Sequence, residues 1–353
     1  MTSRFEQGTF IRGGAIAGVL VVALFLAPHA GADWLTTFGA MAIYAIVAAG
    51  LGVLYGRVGM ISLCQIGLLA LGTWIGARFA FATSLPFPLV ILIAGLLTAA
   101  IGTFIGLFAL RLSGLHLALI TLMAAGAINE VLNQVRFPNG GHGFSGVLPT
   151  GGLEELQTVR RPSIAHGDTA YYRYIVVVAA LMFGLALLHV ATKPGRAWAA
   201  IRESEPAALA AGVNITLYKL WAFALASFMT GVAGCLLSAY VGSPRIETFP
   251  TQASITLLAT ALIGGIFTFW GAIVAGAFIQ VLPFLFEAKW GLNSNFLLIL
   301  FGVGLFQVLL TAPGGIVEQM PKDLKNLGLL LWKLVRRPAR GKESGPGTGD
   351  ASP

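Results

Sequence analysis

The sequence predicts an all-α fold: a polytopic membrane helical bundle of about ten spans, N-in/C-in. Three observations point there. Hydrophobic residues make up 57% of the 353 residues and charged residues only 10%, with a mean hydropathy of +0.84, whereas soluble domains carry about 25% charge. Apolar runs of about 20 residues, each able to cross a ~30 Å hydrocarbon core, recur from residue 13 to residue 312. The 45 glycines and 16 prolines fit the same class, because both are commoner in membrane helices than in soluble ones and small residues let backbones approach closely.

The first run, Gly13 to Pro28, follows Arg4 and Arg12 and precedes Ala-Gly-Ala at 30–32. Two readings fit it: a cleaved leader or an uncleaved first span. The span is preferred, because the remaining runs insert without a leader. Later spans fall near 36–55, 60–80, 87–109, 114–134, 172–191, 217–241, 253–268, 270–287 and 295–312. Within 253–287, two short pieces are separated by Gly264, Gly265 and Gly271. They form either two short spans or a broken, partly re-entrant element, which is tolerated only where protein or a water cavity covers it.

Lys and Arg set the orientation. With residues 1–12 cytoplasmic, ten spans place Arg4, Arg12, Arg57, Arg111, Lys193, Arg196, Arg202 and Lys219 inside, together with a basic tail. Arg136, Arg160, Arg161 and Arg173 cluster instead in or beside one outer loop, 136–171. The membrane domain is therefore 13–320, with a cytoplasmic loop at 192–216. The outer loop is Gly/Pro-rich and polar, with a short helix expected around Leu153–Val159. The tail, 321–353, begins with leucines alternating with Lys and Arg around Trp332. It reads as an interfacial helix attracted to anionic lipid, followed by a disordered end.

Several function classes drop out. The net charge of +8 is dispersed over span ends and the tail, so it does not mark a nucleic-acid surface. Cys64 and Cys235 lie inside apolar runs and read as buried thiols. The five histidines have no metal spacing, and no Ser/His/Asp arrangement appears. No G-x-x-x-x-G-K-[ST] loop is present, so the chain binds no ATP by a P-loop. An enzyme active site and a resident cofactor are not expected.

One polar element interrupts the apolar chain. Lys193, Arg196, Arg202, Glu203 and Glu205 would together cost about 12–17 kcal/mol at mid-bilayer, so this stretch must leave the membrane. Pro194 and Gly195 break the incoming span, and Arg196–Glu203 is rich in helix formers. Ser204 then precedes Glu205 and Pro206, an N-cap followed by an acid and a proline in the first turn. Gly212 is the C′ stop and Val213 its apolar contact. Trp198, Ile201 and Leu209 give the two short helices apolar faces too large to leave in water. Two readings stand: an ordinary connection, or a rigid docking knob for a soluble partner.

At this segment the chain resembles the permease subunits of ABC importers for branched-chain amino acids, specifically the longer of the two paired permeases. The likeness covers about residues 36–319. Glu205, Ala207, Ala208 and Gly212 match the E-x-A-A-x-x-x-G pattern of importer coupling helices, and "YKLWAFALA" follows as in the family. Gly56–Ala77 resembles a Ser-Leu-Gly-[His/Gln] segment, with Cys64 in place of glycine and Gln65 at the polar position. Arg111–Gln134 resembles an Arg-x-x-Gly-[Ile/Leu]-Tyr segment, with His116 for Tyr and Glu130 at the acid. "NGGHGFSGV" resembles a Thr-Gly-Gly loop but lacks its acid. Ala261–Ile279 resembles a Gly-Gly-x-Gly turn with Phe267 and Ala272 departing, and "LLTAPGGIVEQ" resembles the closing Ala-Pro-x-Gly-Leu motif. The departures bear on the substrate rather than on the subunit role.

The resemblance implies an ATPase-coupling site at Arg196, Ile201, Glu203, Glu205, Ala207, Ala208 and Gly212. It also implies a second permease as heterodimer partner, two ABC ATPases holding ATP and Mg, an extracytoplasmic solute-binding protein, and a bacterial inner membrane. For the path, intramembrane polar groups and paired Gly-interrupted segments both select 59–76 and 254–271. The candidates are Ser62, Gln65, Thr73, Ser254, Thr256, Thr260, Gly264 and Gly265. Their plain reading is that Ser and Thr bond their own helix backbone and Gly packs. Glu130 reads as a solvated span end, a partner of Arg136 or part of a path entrance, and Arg78 as snorkelling outward. The alternatives are an ion-coupled secondary carrier for a small polar solute, a same-family permease for urea or short amides, and a non-transporting scaffold subunit.

Overall fold

The computed structural model describes residues 23–24, 31–110, 112, 114–135, 148–150, 153–155, 159, 161–162, 165–242, 244–289, 291, 294–311 and 315–317. Expectations for the first run (Ala23 and Leu24 apart), for 136–147 and for the tail 321–353 fall outside these residues. The chain runs α1 (Ala32–Leu51), α2 (Gln65–Ala82), α3 (Phe87–Ala109), α4 (Gly114–Gln134), β1 (Leu148–Thr150), β2 (Leu153–Glu155) and α5 (Asp168–Ala191). It continues α6 (Lys193–Glu203), α7 (Glu205–Ala210), α8 (Ile215–Val241), α9 (Ala253–Gly264), α10 (Phe269–Phe284) and α11 (Ser294–Thr311). Among the described residues, six helical stretches are long and apolar enough to cross a membrane: Ala32–Val58, Phe87–Phe108, Gly114–Gln134, Asp168–Ala191, Ile215–Val241 and Phe269–Glu287.

The centre of the bundle is α8, which packs on α1, α2 and α3. Between membrane helices apolar burial gives little drive, so close van der Waals packing must hold them together. The sequence provides it with small residues. A Cβ on Gly72 of α2 would lie 2.7 Å from the Cα of Gly231 in α8, and one on Gly76 would lie 2.9 Å from the Cα of Cys235. On the other side of α8, a Cβ on Gly231 would meet Thr98 of α3 at 2.6 Å, and one on Gly95 would meet the Phe228 ring at 2.7 Å. Against α1, Gly50 faces the backbone of Ala226. A hydroxyl adds to this packing where Tyr171 of α5 donates to the Leu236 carbonyl at 2.7 Å.

The outward faces are apolar. Leu96, Phe104 and Phe108 of α3 and Leu115 and Met123 of α4 are exposed, large apolar side chains on outward faces suited to lipid.

Two elements are broken. Helix α1 ends in a π-helical segment, Gly52–Val58. The backbone of 59–64 then runs without helix, with Met60, Ser62, Leu63 and Cys64 all buried, before α2 starts at Gln65. Part of this irregular backbone is satisfied from outside: the Leu63 N–H donates to Thr121 Oγ1 of α4 at 2.9 Å. The second break splits 253–287. Helix α9, with 12 residues, is about 18 Å long, too short to cross the ~30 Å core. It stops at Gly265, whose φ of 106° is a conformation that residues with a Cβ avoid.

Three expectations change. Residues 153–155 form a strand paired antiparallel to 148–150, not a helix; the sequence between the strands is Gly-Gly, a hairpin signal that outweighs the helix-forming run after it. Arg78 does not snorkel outward: it is 0% exposed, with its guanidinium carbon 5.7 Å from the Trp74 ring centroid, a cation–π contact that contributes part of what holds a buried cation. Leu209 is 63% exposed, while Trp198 and Ile201 are buried.

Candidate functional site

The polar corner is built from α6, α7 and the start of α8, and side chains cap the N-termini of α7 and α8. The incoming helix α5 stops at Thr192, and Pro194 falls in the first turn of α6, where a proline forfeits no helical bond. Gly195 fits there because a Cβ would lie 2.6 Å from the Cα of Val190. Ser204 is the N-cap of α7, its hydroxyl accepting from the Ala207 N–H at 3.4 Å. At the other end the Gly212 N–H donates to the Leu209 carbonyl at 2.9 Å, and the Val213 N–H to the Ala208 carbonyl at 3.0 Å. These are the paired bonds of a Schellman ending, which needs the left-handed φ of 80° at Gly212. Asn214 caps α8 by accepting from the Leu217 N–H at 3.1 Å.

The corner is seated on the bundle through apolar residues. Trp198 is 0% exposed; its indole N–H donates to the Tyr218 carbonyl at 2.8 Å and its ring stacks on His189. Ile201 and Ala208 are buried beside it. Arg196, Glu203, Glu205, Ala207 and Gly212 are exposed. Glu205 pairs with Lys219 of α8 at 2.6 Å, an exposed ion pair that fixes orientation more than it adds stability. Leu209 stands at the rim of an open groove shared with Leu110, Glu205, Val213 and Lys219. The corner therefore has a buried anchoring face and a polar outer face with one apolar tip.

The sequence did not mark the residue that ties this corner to the membrane breaks. Arg202 Nη1 donates to the Gly56 carbonyl at 2.5 Å, and the same guanidinium sits 4.6 Å from the Phe267 ring centroid. Gly56 lies in the π segment at the end of α1 and Phe267 in the turn between α9 and α10. The two breaks touch each other: a Cβ on Gly56 would lie 2.5 Å from the Ile266 carbonyl oxygen. Nearby, Arg57 lies 5.7 Å from the Phe269 ring centroid. A shallow crevice lined by Ala48, Gly52, Arg57, Ile266 and Thr268 opens beside this contact.

The other predicted positions divide. Thr73 and Thr260 bond their own helices, to the Leu69 carbonyl at 2.8 Å and the Thr256 carbonyl at 2.9 Å. Ser62 lies in the irregular stretch, 3.1 Å from the Cys64 sulfur. Gln65 is 1% exposed; its Oε1 accepts from the Thr230 hydroxyl at 2.6 Å, while its Nε2 has no partner. Ser254 is buried with a free hydroxyl, Thr256 is half-buried, and Gly264 and Gly265 are buried at the second break. Helices α2 and α9 are in contact, so the two candidate segments share one region. Glu130 is exposed and bonded to Gln134 at 3.5 Å, the solvated span end. Beside it, Asn129 Nδ2 donates to the Phe249 carbonyl at 2.7 Å and clamps α4 to the turn before α9. Among the described residues, no three His, Cys, Asp or Glu side chains gather to hold a metal.

Long apolar helices closed on small-residue seams, with lipid-suited outer faces and two broken segments, define a multi-pass membrane protein. The comparisons are more specific. Residues 32–309 match the family described as the branched-chain amino acid transport system / permease component. The chain is similar to the high-affinity branched-chain amino acid transport system permease protein LivM of Salmonella typhimurium, at 30% identity over 256 residues. It is likewise similar to LivM of Escherichia coli K12, at 31%. Each match covers 68% of this chain and 60% of the relative's length. No solved structure matches. The chain belongs to the branched-chain amino acid permease family.

Proposed function

We propose that the chain is the permease subunit of an ATP-driven ABC importer, forming with a second permease the path for branched-chain, hydrophobic amino acids. An extracytoplasmic binding protein would deliver the solute, and two ATPases, carrying the ATP and Mg, would sit on the inner face. The chain would cross a bacterial inner membrane in ten spans with both termini inside, and would catalyse no reaction itself. Family membership supports the subunit role, and the kinship with the two LivM permeases supports the solute class.

The observation that carries this reading is the corner at 193–213, with α7 capped by Ser204 and closed at Gly212, anchored by Trp198 and presenting Arg196, Glu203, Glu205 and Leu209 outward. Backbone this well satisfied resists bending, so force applied to α7 moves the corner as one body. The path would follow the two breaks, with Ser62, Gln65, Ser254, Thr256, Gly264 and Gly265 nearest to it. Irregular backbone at membrane depth fits that role, because it is tolerated only against protein or a water-filled cavity.

The test is copurification. An ATPase should come down with the native chain from its own membrane. Glu205→Lys, which sets two cations side by side at Lys219, and Gly212→Trp, which forces a Cβ into a left-handed φ, should release the ATPase and leave the permease inserted. Uptake into vesicles that persists without ATP would instead indicate an ion-coupled carrier.

A further inference from the structure

We propose that Arg202 is a positioning residue that links the corner to both membrane breaks at once, so that displacement of α6 and α7 reaches the two breaks in step. This deepens the permease reading and rests on it.

Helix ends leave their last carbonyls without intrahelical partners, and the π segment shows how this end is resolved. The Leu54 and Tyr55 carbonyls accept from Met60 and Gly59, at 3.0 and 3.1 Å. The Gly56 carbonyl accepts from Arg202 instead. A cation at a helix C-terminus also meets the negative end of the helix dipole. The Arg202 stem runs over Gly59, whose Cβ would lie 3.5 Å from the Arg202 Cγ. The guanidinium face is then left for Phe267.

One planar group thus bonds the end of the first break and stacks on the turn of the second. The breaks abut at Gly56 and Ile266 with no room for a side chain between them. Arg202 itself is carried on a helix locked to the bundle by Trp198 and Ile201. A lever tied to one break alone would open the path unevenly, whereas a shared tie moves both sides together. Lysine cannot replace this arrangement: its ammonium is a point donor without a stacking face, so it can hold the carbonyl or the ring but not both.

The experiment uses the complete complex in proteoliposomes, with solute moved and ATP hydrolysed measured on the same preparation. The native complex is measured first: uptake without ATP, or purification without an ATPase, would overturn the permease reading itself. Given a native complex that behaves as an ABC importer, Arg202→Gln should keep its ATPase and continue to hydrolyse ATP, while solute moved per ATP falls about tenfold or more. Arg202→Lys should fall between that variant and the native protein, and Phe267→Leu should repeat the loss. Unchanged transport per ATP in Arg202→Gln and Phe267→Leu would overturn the inference. Loss of the ATPase from Arg202→Gln would also overturn it, by making Arg202 part of the docking surface. Failure of both Arg202 variants to insert would do the same, by making it a folding residue.

Discussion

The indole N–H of Trp198 and the backbone carbonyl of Tyr218 meet at 2.8 Å, which fastens a helix outside the apolar bundle to its central helix. Trp198→Phe keeps a ring in the site and removes the bond, and should cost about 1 kcal/mol. Trp198→Ala empties a fully enclosed site and should cost about 3–5 kcal/mol. Thermal unfolding of the purified chain in detergent should rank native, Phe and Ala in that order. Equal midpoints for Phe and Ala would mean that the ring does not carry the anchoring.

The glycines should not behave alike. Gly72→Ala places a methyl against the backbone of Gly231 and should force α2 off α8 at about 1–3 kcal/mol. Gly184 in α5 has open space where its Cβ would be, so Gly184→Ala should stabilise that helix by up to about 1 kcal/mol. Opposite shifts of the unfolding midpoint check the seam. Equal effects would contradict it.

Gln65 separates packing from transport. The Thr230 hydroxyl has two acceptors, Gln65 Oε1 at 2.6 Å and the Ala226 carbonyl at 2.9 Å. Gln65→Leu therefore leaves that hydroxyl bonded and removes an amide nitrogen that has no partner. Stability should stay within about 1 kcal/mol of native or rise, while solute uptake falls. Undiminished uptake would place Gln65 in the packing and not beside the path.

What could be read in the sequence was local. Ser204, Pro206 and Gly212 announce their cap and stop because capping is settled within one helical turn, and the structure places each as expected. The second break was visible too, since Gly264 and Gly265 interrupt an apolar run, whereas the first was not: 60–80 reads as one apolar span, yet its helix starts only at Gln65. The tie from Arg202 to Gly56 spans 146 positions in the chain, and no spacing rule reaches that far. In the sequence Arg202 was one more basic residue in an orientation count, and Phe267 a departure from a motif. Leu209 was misjudged for a related reason: on a helix of six residues, apolarity alone does not say which face meets the bundle and which stays outside it. Arg78 failed differently, because whether a cation is buried depends on the tertiary surroundings, Trp74 one turn away among them, and the hydropathy pattern does not carry these.

Leu209 supplies the most direct test of the central claim that the corner at 193–213 seats an ATPase. A cysteine placed at Leu209, in the complex purified from its native membrane, should cross-link to an ATPase chain with a short bifunctional reagent. ATP should change the yield as the ATPases close. Cross-linking that captures no ATPase from Leu209, in a preparation where the ATPase is present and active, would contradict the account.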